Sequence, residues 1–401
     1  MKEANKFSQI SLFTSTHLAA KDRIKLGSFF TPQKLVDKVY ELVDPYIRKF
    51  GEKVVVLDNA AGFGAFLSRL GNTDYRAKDF DLVAHDFLKR VLDPKKVLFG
   101  NSLKNVNRAS FNIFQDDNLI IVGNPPYNDV TSEFKNGEKG ENLCDEDLFD
   151  RDLGISFLKS YNKLNADVVC VLHPLSFLIK EANFKRLKSF KDEYRLKRAF
   201  IFPSSYFENT GSTKFPIMIG LYEKNSDGMN YEFIRNFEFE ILDSAKRFQL
   251  SDFTTTDGYI NKYPPRRNDP KTSNLNLYFY TFRDLNSLKR NAGFMSKPHY
   301  NGIVVNEENF YKYAYLFAVK KLFEPESRWL YGNLSPLVQK ETLETNKNIY
   351  GQYALSSHPV LLNTDRFVVK KISNFYQIKN EEIDRTVLER TIKNNMELLL
   401  K

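Results

Sequence analysis

The chain of 401 residues has only two cysteines, Cys144 and Cys170, and no apolar run long enough to span a bilayer. Two such cysteines form neither a disulfide framework nor a zinc or redox motif, so a reducing compartment is expected. Residues 1–23 are mixed and polar, and they lack the apolar core of a signal peptide. The sequence therefore predicts a soluble, cytoplasmic protein without a membrane partner.

Internal repeats and low-complexity tracts are also absent. The first half instead alternates short apolar runs with amphipathic stretches. Residues 54–57, 119–122, 168–172 and 215–222 are typical of buried strands, and residues 154–164 are typical of a helix. Strands that alternate with helices predict an α/β fold with a parallel, doubly wound sheet.

The sequence pattern changes after the polar stretch 223–228: beyond it, the alternation of predicted strands and helices becomes weaker. We therefore expect two domains, residues 1–225 and 226–401. The net charge of the chain is +9, and residues 261–300 hold eight Lys or Arg against two acids. Such a balance suits a polyanionic partner, although a solvated basic surface explains it equally well.

The sharpest motif is Asn124-Pro125-Pro126-Tyr127, which directly follows the apolar strand 119–122. Two consecutive prolines fix two φ angles and remove two backbone donors, which holds the neighbouring amide and carbonyl in place. Ligands of open α/β sheets bind at the carboxyl ends of strands, where this loop is expected. Taken alone, the four residues fit an ordinary turn equally well.

A second motif precedes it, in which a buried strand leads into a turn of small residues that contains Asp58, Ala60 and Gly62. Glycine in such a turn lets the backbone approach a ligand closely. The three-glycine fingerprint of dinucleotide-binding proteins is missing, which disfavours a nicotinamide enzyme. A tight strand-to-helix turn is the structural alternative.

A third motif, Phe30-Thr31-Pro32, precedes the apolar-periodic segment 35–43. Threonine at the cap and proline at the first helical position predict a well-formed helix start. A helix amino terminus attracts carboxylates. An ordinary capped helix is the alternative interpretation of this motif alone.

Together and in this order, the three motifs resemble the DNA amino-methyltransferases, in the gamma arrangement of the N6-adenine methyltransferases. The resemblance covers roughly residues 25–225. It implies a Rossmann-like S-adenosylmethionine-dependent methyltransferase sheet with a C-terminal DNA-recognition domain. It also implies methyl transfer to the exocyclic N6 amine of an adenine that is flipped out of a specific duplex DNA sequence. A separate restriction endonuclease is left open as a further partner.

The resemblance assigns cofactor-binding roles residue by residue. Asp58 would orient the methionine amino group of S-adenosylmethionine, and Asp79 would hold the ribose hydroxyls, with Asp81 as the alternative. Asn101 stands where the family usually has an aspartate against the cofactor's adenine, and an amide oxygen can accept the same hydrogen bond. The remaining implied cofactor-binding residues are Phe30, Thr31, Pro32, Ala60, Gly62 and Asn124.

The catalytic role falls on the Asn124-Pro125-Pro126-Tyr127 loop. The side-chain oxygen of Asn124 and the carbonyl of Pro125 can each accept an N–H bond from the adenine amine, which aims the nitrogen lone pair at the methyl group. An adenine must leave the duplex to reach such a site. Tyr127 is predicted to stack on one face of the flipped base and Phe207 on the other. Core packing is a serious alternative for Phe207, and Phe215 is the fallback.

Other functions fit parts of the pattern. Asn-Pro-Pro-Tyr loops also occur in enzymes that methylate glutamine in release factors, and related loops occur in RNA adenine methyltransferases, but these enzymes usually lack a large trailing domain. DNA therefore ranks first, RNA second and protein glutamine third. A DNA-binding module with an inactive methyltransferase fold is disfavoured by the intact loop. In the trailing domain, a basic stretch interleaved with aromatic residues is predicted to contact DNA phosphates. Its basic residues are Lys262, Arg266, Arg267, Arg283, Lys289 and Arg290, and its aromatic residues are Tyr263, Tyr278, Phe279, Tyr280 and Phe282.

Overall fold

The computed structural model describes residues 31–127, 144–207, 216–252, 254–255, 259–267, 271–322, 337–338, 340–378 and 384–397. The chain divides into two compact units between Gln249 and Leu250. Within the ranges just given, no helix combines the length and the apolar character that crossing a membrane requires.

The described residues of the first unit form a nine-stranded sheet in the order β3-β2-β1-β4-β5-β7-β6-β8-β9. Strands β1 to β6 run in one direction, and β7 is antiparallel to its neighbours β5 and β6. The strands are β1 (Val54–Asp58), β2 (Asp74–Asp79), β3 (Val97–Phe99), β4 (Asn118–Gly123), β5 (Val168–Pro174), β6 (Tyr194–Pro203), β7 (Pro216–Lys224), β8 (Phe239–Ile241) and β9 (Arg247–Phe248).

The order of this sheet reverses between β1 and β4. From β1 the chain moves outward to β2 and β3, and it then returns to add β4 and β5 on the other side of β1. Such a topological switch point opens a crevice beyond the carboxyl ends of the two central strands. The prediction of a Rossmann-like, parallel-rich α/β sheet is confirmed.

Helices of the first unit cover the sheet because their apolar residues recur on one face. Helix α1 shows this most clearly, since Leu35, Val36, Val39 and Val43 are fully buried in the core that also contains Val54 of β1. The helices are α1 (Gln33–Phe50), α2 (Leu82–Val91), α3 (Leu153–Lys163), α4 (Ser176–Ile179), α5 (Glu181–Arg186), α6 (Ser189–Glu193) and α7 (Tyr231–Arg235).

The second unit contains a three-stranded antiparallel sheet, a two-stranded sheet and several helices. Its strands are β10 (Thr254–Thr255), β11 (Leu277–Tyr280), β12 (Phe294–Met295), β13 (Gly302–Val305) and β14 (Leu337–Val338), with β11 between β12 and β13. Its helices are α8 (Leu285–Arg290), α9 (Phe310–Leu322), α10 (Lys340–Thr345), α11 (Lys347–Ser357), α12 (Pro359–Leu362), α13 (Arg366–Phe375) and α14 (Arg385–Glu397).

The units do not divide near residue 225, where the change in sequence texture predicts a boundary. Strand β8 pairs with β6, and β9 pairs with β8, so this segment extends the sheet of the first unit. The boundary falls after Gln249 instead. Strands of two or three residues carry too little hydrophobic alternation to be seen in a sequence.

Candidate functional site

Two of the sequence motifs meet at the switch point of the sheet. Strands β1 and β4 pair in parallel, and Asp58 ends β1 while Asn124 follows β4. Gly123, the last residue of β4, lies against the Asp58 side chain. A β carbon added to Gly123 would come within 2.9 Å of Asp58 Oδ1. Only glycine therefore leaves the Asp58 carboxyl in its observed position.

The carboxyl group of Asp58 is almost fully buried. Its Oδ1 atom accepts a 3.2 Å hydrogen bond from the backbone N–H of Ala60. Burial raises the pKa of Asp58 to about 8, the Ala60 bond opposes this shift, and the charge of Asp79 adds to it. At neutral pH the free protein therefore holds Asp58 mainly in its neutral form, and a cationic ligand would favour its ionisation.

Asp79, at the end of β2, binds the turn that follows β1. Its Oδ2 atom accepts a 2.7 Å bond from the N–H of Gly62, and its Oδ1 atom accepts a 2.8 Å bond from the N–H of Asp81. Burial raises the pKa of Asp79, although the bonds to Asp81 and Gly62 oppose the shift. The turn with Gly62 is thus fixed against the neighbouring strand end.

The alternative acid, Asp81, caps helix α2. Its carboxylate accepts a 2.9 Å bond from the N–H of Val83. A capping carboxylate of this kind stabilises a helix start by about 1 kcal/mol. The arrangement favours Asp79 over Asp81 as the residue that faces the Gly62 turn.

The two polar side-chain atoms of Asn124 have different surroundings. Its Nδ2 atom donates a 3.3 Å hydrogen bond to Thr31 Oγ1. Its Oδ1 atom is buried and has no hydrogen-bond partner within the part of the chain that the structure describes. A buried acceptor left unpaired costs about 1–3 kcal/mol, so the site presents an oxygen that is ready for an N–H donor.

Thr31 and Pro32 do not form the predicted helix cap. Helix α1 begins at Gln33, Pro32 occupies the cap position, and no side chain caps the helix. The prediction of a threonine cap was therefore wrong, because the Thr31 hydroxyl instead accepts the hydrogen bond from Asn124. Phe30, the other residue of the motif, lies outside the described residues.

Two further buried polar groups lie at the same edge of the sheet, and the sequence analysis missed both. Asn59 follows β1 and Ser102 follows β3; Asn59 Nδ2 and Ser102 Oγ are buried without a hydrogen-bond partner in the described ranges. The signal in the sequence was a polar residue directly after a predicted cofactor-binding residue. Asn59 follows Asp58, and Ser102 follows Asn101. With Asn124, they supply donors and acceptors beyond three strands of one sheet.

Asn101 is less clearly placed for the role that the sequence predicts. Its side chain is exposed, and its Oδ1 atom accepts a 2.9 Å bond from the N–H of Leu103. A carbonyl oxygen has two lone pairs and can accept two hydrogen bonds. The role of Asn101 toward an adenine stays a prediction.

The two predicted base-stacking residues differ in their surroundings. Tyr127 is partly buried against the core, and a β carbon on Gly154 of α3 would approach Tyr127 Cβ to 3.0 Å. Phe207 is only 2% exposed and packs in the core, with its ring centroid 6.1 Å from that of Phe202. The structure therefore favours core packing over a base clamp for Phe207. The fallback, Phe215, lies outside the described residues.

His173 is fully buried, and both of its ring nitrogens form hydrogen bonds. Its Nδ1 atom donates to the carbonyl of Pro174 at 3.0 Å, so its Nε2 atom accepts the 2.6 Å bond from the Tyr222 hydroxyl. Burial lowers the pKa of His173 to about 4. A neutral ring with both nitrogens engaged is unsuited to act as a general base.

In the second unit, both predicted phosphate-contacting residues are at the surface. Arg266 and Arg267 are exposed, directly after Pro264 and Pro265. Exposure makes contact with a polyanion sterically possible without identifying one. Their assignment stays a prediction.

Comparison with known proteins gives distant structural similarities. No protein-family model matches the sequence, and no curated protein matches it. A Listeria monocytogenes structure described as a class I S-adenosylmethionine-dependent methyltransferase is 17% identical, with a TM-score of 0.39, covering 54% of this chain and 66% of that one. The M protein of the type I restriction enzyme EcoKI is 16% identical, with a TM-score of 0.40, covering 53% of this chain and 48% of that one.

A third similar structure is a Pyrococcus horikoshii protein described as an RNA methyltransferase. It is 15% identical, with a TM-score of 0.33, and the match covers 54% of this chain and 97% of that one. At these identities and TM-scores the likeness is distant. The assignment of the fold therefore depends on the strand order of the sheet itself.

Proposed function

We propose that this protein transfers a methyl group from S-adenosylmethionine to the N6 amine of a flipped adenine in duplex DNA. The observation that carries the proposal is the buried Oδ1 atom of Asn124, which has no hydrogen-bond partner among the described residues. Asn124 follows β4 at the switch point, and Asp58 ends the paired strand β1. The Asn124 oxygen suits an N–H donor such as a neutral amine. The Asp58 carboxylate suits a cation such as a sulfonium methyl donor with its α-ammonium group.

The residues at this edge of the sheet fit S-adenosylmethionine. Asp58 would pair with the α-ammonium group, and Asp79, at the end of the adjacent strand, would accept bonds from the ribose hydroxyls. A β carbon added to Gly62 in the adjoining turn would meet no atom of the described residues within 4 Å, so there is open space at this point of the turn. When bound, the cofactor supplies an electrophilic methyl group on a sulfonium centre.

The chain's own contribution to catalysis would be orientation of the amine. Asn124 Oδ1 would accept one N–H of the target amine, and the carbonyl of Pro125 would accept the other. Two such bonds would favour a pyramidal nitrogen and would aim its lone pair at the methyl group that the bound cofactor would supply. Preorganised contacts of this kind are a large source of rate enhancement.

The choice of DNA rests on the motif order and on the basic surface of the second unit. A glutamine amide or an RNA adenine presents the same NH₂ group, so the Asn124 site alone does not distinguish the three substrates. If DNA is the substrate, the protein would act on the chromosome in the cytoplasm. A DNA substrate is also compatible with a separate restriction endonuclease as a partner. Transfer of labelled methyl groups to duplex DNA, RNA and protein in parallel tests the choice, since label in RNA or protein alone would refute it.

The pH dependence of cofactor binding is a direct consequence of the raised pKa of Asp58. The pKa of Asp58 in the free protein is about 8, so the group is mainly protonated when the pH is below that value. Pairing with the α-ammonium requires the ionised form. The affinity for S-adenosylhomocysteine should therefore rise by up to about tenfold per pH unit as the pH approaches that value, and then level off. Calorimetry should show proton release on binding, and Asp58→Asn should abolish both effects; a flat profile in the wild type would contradict the assignment.

Salt dependence tests the predicted phosphate contacts of the second unit. The double variant Arg266→Ala/Arg267→Ala should lower the slope of log affinity against log salt by about two for a duplex DNA probe, because each lost contact contributes about one. The matched control is Arg366→Ala/Lys370→Ala, which removes the same charge from exposed positions on α13. Equal slopes in the Arg266/Arg267 variant and the wild type would favour a solvated basic surface.

A further inference from the structure

The second unit contains a cleft formed by residues of the basic segment 261–300 and of the turn that follows it. It has a volume of about 640 Å³ and lies between the Tyr263-Pro264 segment and helix α8. Tyr280, Arg283, Arg290 and Asn301 are among its lining residues. Clefts of about 300–1,000 Å³ are the size that small-molecule and nucleotide-sized groups occupy.

Hydrogen bonds hold the walls of this cleft in place. The carbonyl of Lys262 accepts a 3.1 Å bond from the N–H of Phe282 and a 2.5 Å bond from the hydroxyl of Thr281, which ties the Tyr263 segment to the end of β11. Ser287 Oγ accepts a 2.7 Å bond from the N–H of Arg283. The backbone that carries Tyr263 and Arg283 is thus fixed before any ligand binds.

The described residues that line the cleft include two arginines and no acid. Arg283 and Arg290 are exposed, and neither forms an ion pair with an acid of the described ranges. The nearest acid in sequence, Asp284, is 9% exposed and accepts a 2.8 Å bond from the N–H of Ser287 to cap α8. Two free guanidinium groups at one cleft favour a phosphate, which they can bind through paired N–H donors.

Aromatic side chains complete the wall. Tyr263 is 58% exposed, so its ring is accessible to a planar group of a ligand. Asn301 Nδ2 donates a 3.2 Å bond to the Tyr280 hydroxyl, which fixes the second ring. A phosphate site beside the exposed ring of Tyr263 has the chemistry that binds a nucleotide of a single strand, since bases stack on aromatic faces.

A second basic cleft indicates that the ligand is a polymer rather than a free nucleotide. This cleft, of about 520 Å³, shares Tyr263 and Pro264 with the first and is lined further by Lys262 and Arg266. A chain of sugar-phosphate units that crosses the Tyr263-Pro264 wall would place successive phosphates in both clefts.

We propose that the cleft between Tyr263 and helix α8 binds an unstacked nucleotide of a DNA strand, with its phosphate on Arg283 and Arg290 and its base against Tyr263. This inference rests on the proposed function for the choice of DNA. It adds to that function a nucleotide-binding site in the second unit of the chain.

Binding and cross-linking of the full-length protein test this proposal. With a fluorescein-labelled oligonucleotide, Arg283→Ala/Arg290→Ala should lower the salt slope by about two. Tyr263→Ala should weaken binding by about fivefold or more without changing the slope, because stacking is not an ionic contact. Tyr263→Phe keeps the ring and should bind like the wild type, and Arg366→Ala/Lys370→Ala, which removes the same charge from α13, serves as the charge control. A 5-iododeoxyuridine oligonucleotide should photocross-link to Tyr263.

The outcomes separate this proposal from the proposed function. An unchanged salt slope in the Arg283/Arg290 variant would refute nucleotide binding in the cleft, even if the wild type methylates DNA. Cross-links confined to other residues would refute it as well. Cross-linking at Tyr263 in a protein that methylates no DNA would uphold the cleft and refute the proposed function. An RNA probe of the same sequence that loses affinity in the variants, while the DNA probe does not, would overturn the choice of DNA.

Discussion

Replacing Asn124 with alanine is expected to lower the turnover number by about two to three orders of magnitude, or roughly 3–4 kcal/mol in activation free energy. The variant loses the buried Oδ1 atom that has no other partner among the described residues. Affinity for S-adenosylhomocysteine should change little, because Asp58 and Asp79 remain. Single-turnover kinetics on DNA and calorimetry with the cofactor product measure the two effects separately.

Thr31→Val is the matched control for this variant. It removes the hydroxyl that accepts the bond from Asn124 Nδ2 and leaves the Oδ1 acceptor in place. Turnover at saturating cofactor should then fall by less than about tenfold, which corresponds to the loss of one neutral hydrogen bond. If Asn124→Ala retains near-wild-type turnover in a folded protein, the catalytic assignment is wrong.

Replacing Asp58 with alanine is expected to weaken binding of S-adenosylhomocysteine by about 100-fold or more. The physical reason is the loss of a buried charge partner, which costs roughly 3–5 kcal/mol when the ligand's ammonium is left unpaired. Asp58→Asn should lose most of the same affinity, since its amide carries no charge. Because burial keeps Asp58 largely protonated in the free protein, this neutral replacement should preserve the free energy of unfolding.

Asp81→Ala provides the comparison at a neighbouring acid. It removes the cap of α2 and should lower the free energy of unfolding by about 1 kcal/mol, with little change in cofactor affinity. If calorimetry finds that affinity unaltered in both Asp58 variants, the cofactor binds elsewhere.

The sheet of the first unit was predictable because its central strands are buried on both faces. Such strands form continuous apolar runs in the sequence: the predicted strand 119–122 is β4 (Asn118–Gly123), and the predicted strand 168–172 is β5 (Val168–Pro174). The motif residues that follow these runs are then placed at one edge by the parallel direction of the strands. This reasoning located Asp58 and Asn124 without side-chain coordinates.

The remaining features depend on contacts between distant parts of the chain. Nothing in the Phe30-Thr31-Pro32 motif indicates that Thr31 accepts a bond from Asn124, 93 positions away. The burial of Phe207 likewise depends on its packing with Phe202 and not on its local pattern. Asn59 was missed because its orphaned amide becomes visible only when its neighbours are known.

The most direct test of the account is the identity of the nucleoside that the protein methylates. Duplex DNA of mixed sequence would be incubated with the protein and S-adenosylmethionine, digested to nucleosides and analysed by mass spectrometry, with Asn124→Ala in parallel. The account predicts N6-methyldeoxyadenosine from the wild type and a loss of about two orders of magnitude or more in its rate of formation with the variant. Methylated cytosine as the sole product, or methyl transfer to RNA or protein with none to DNA, would contradict it.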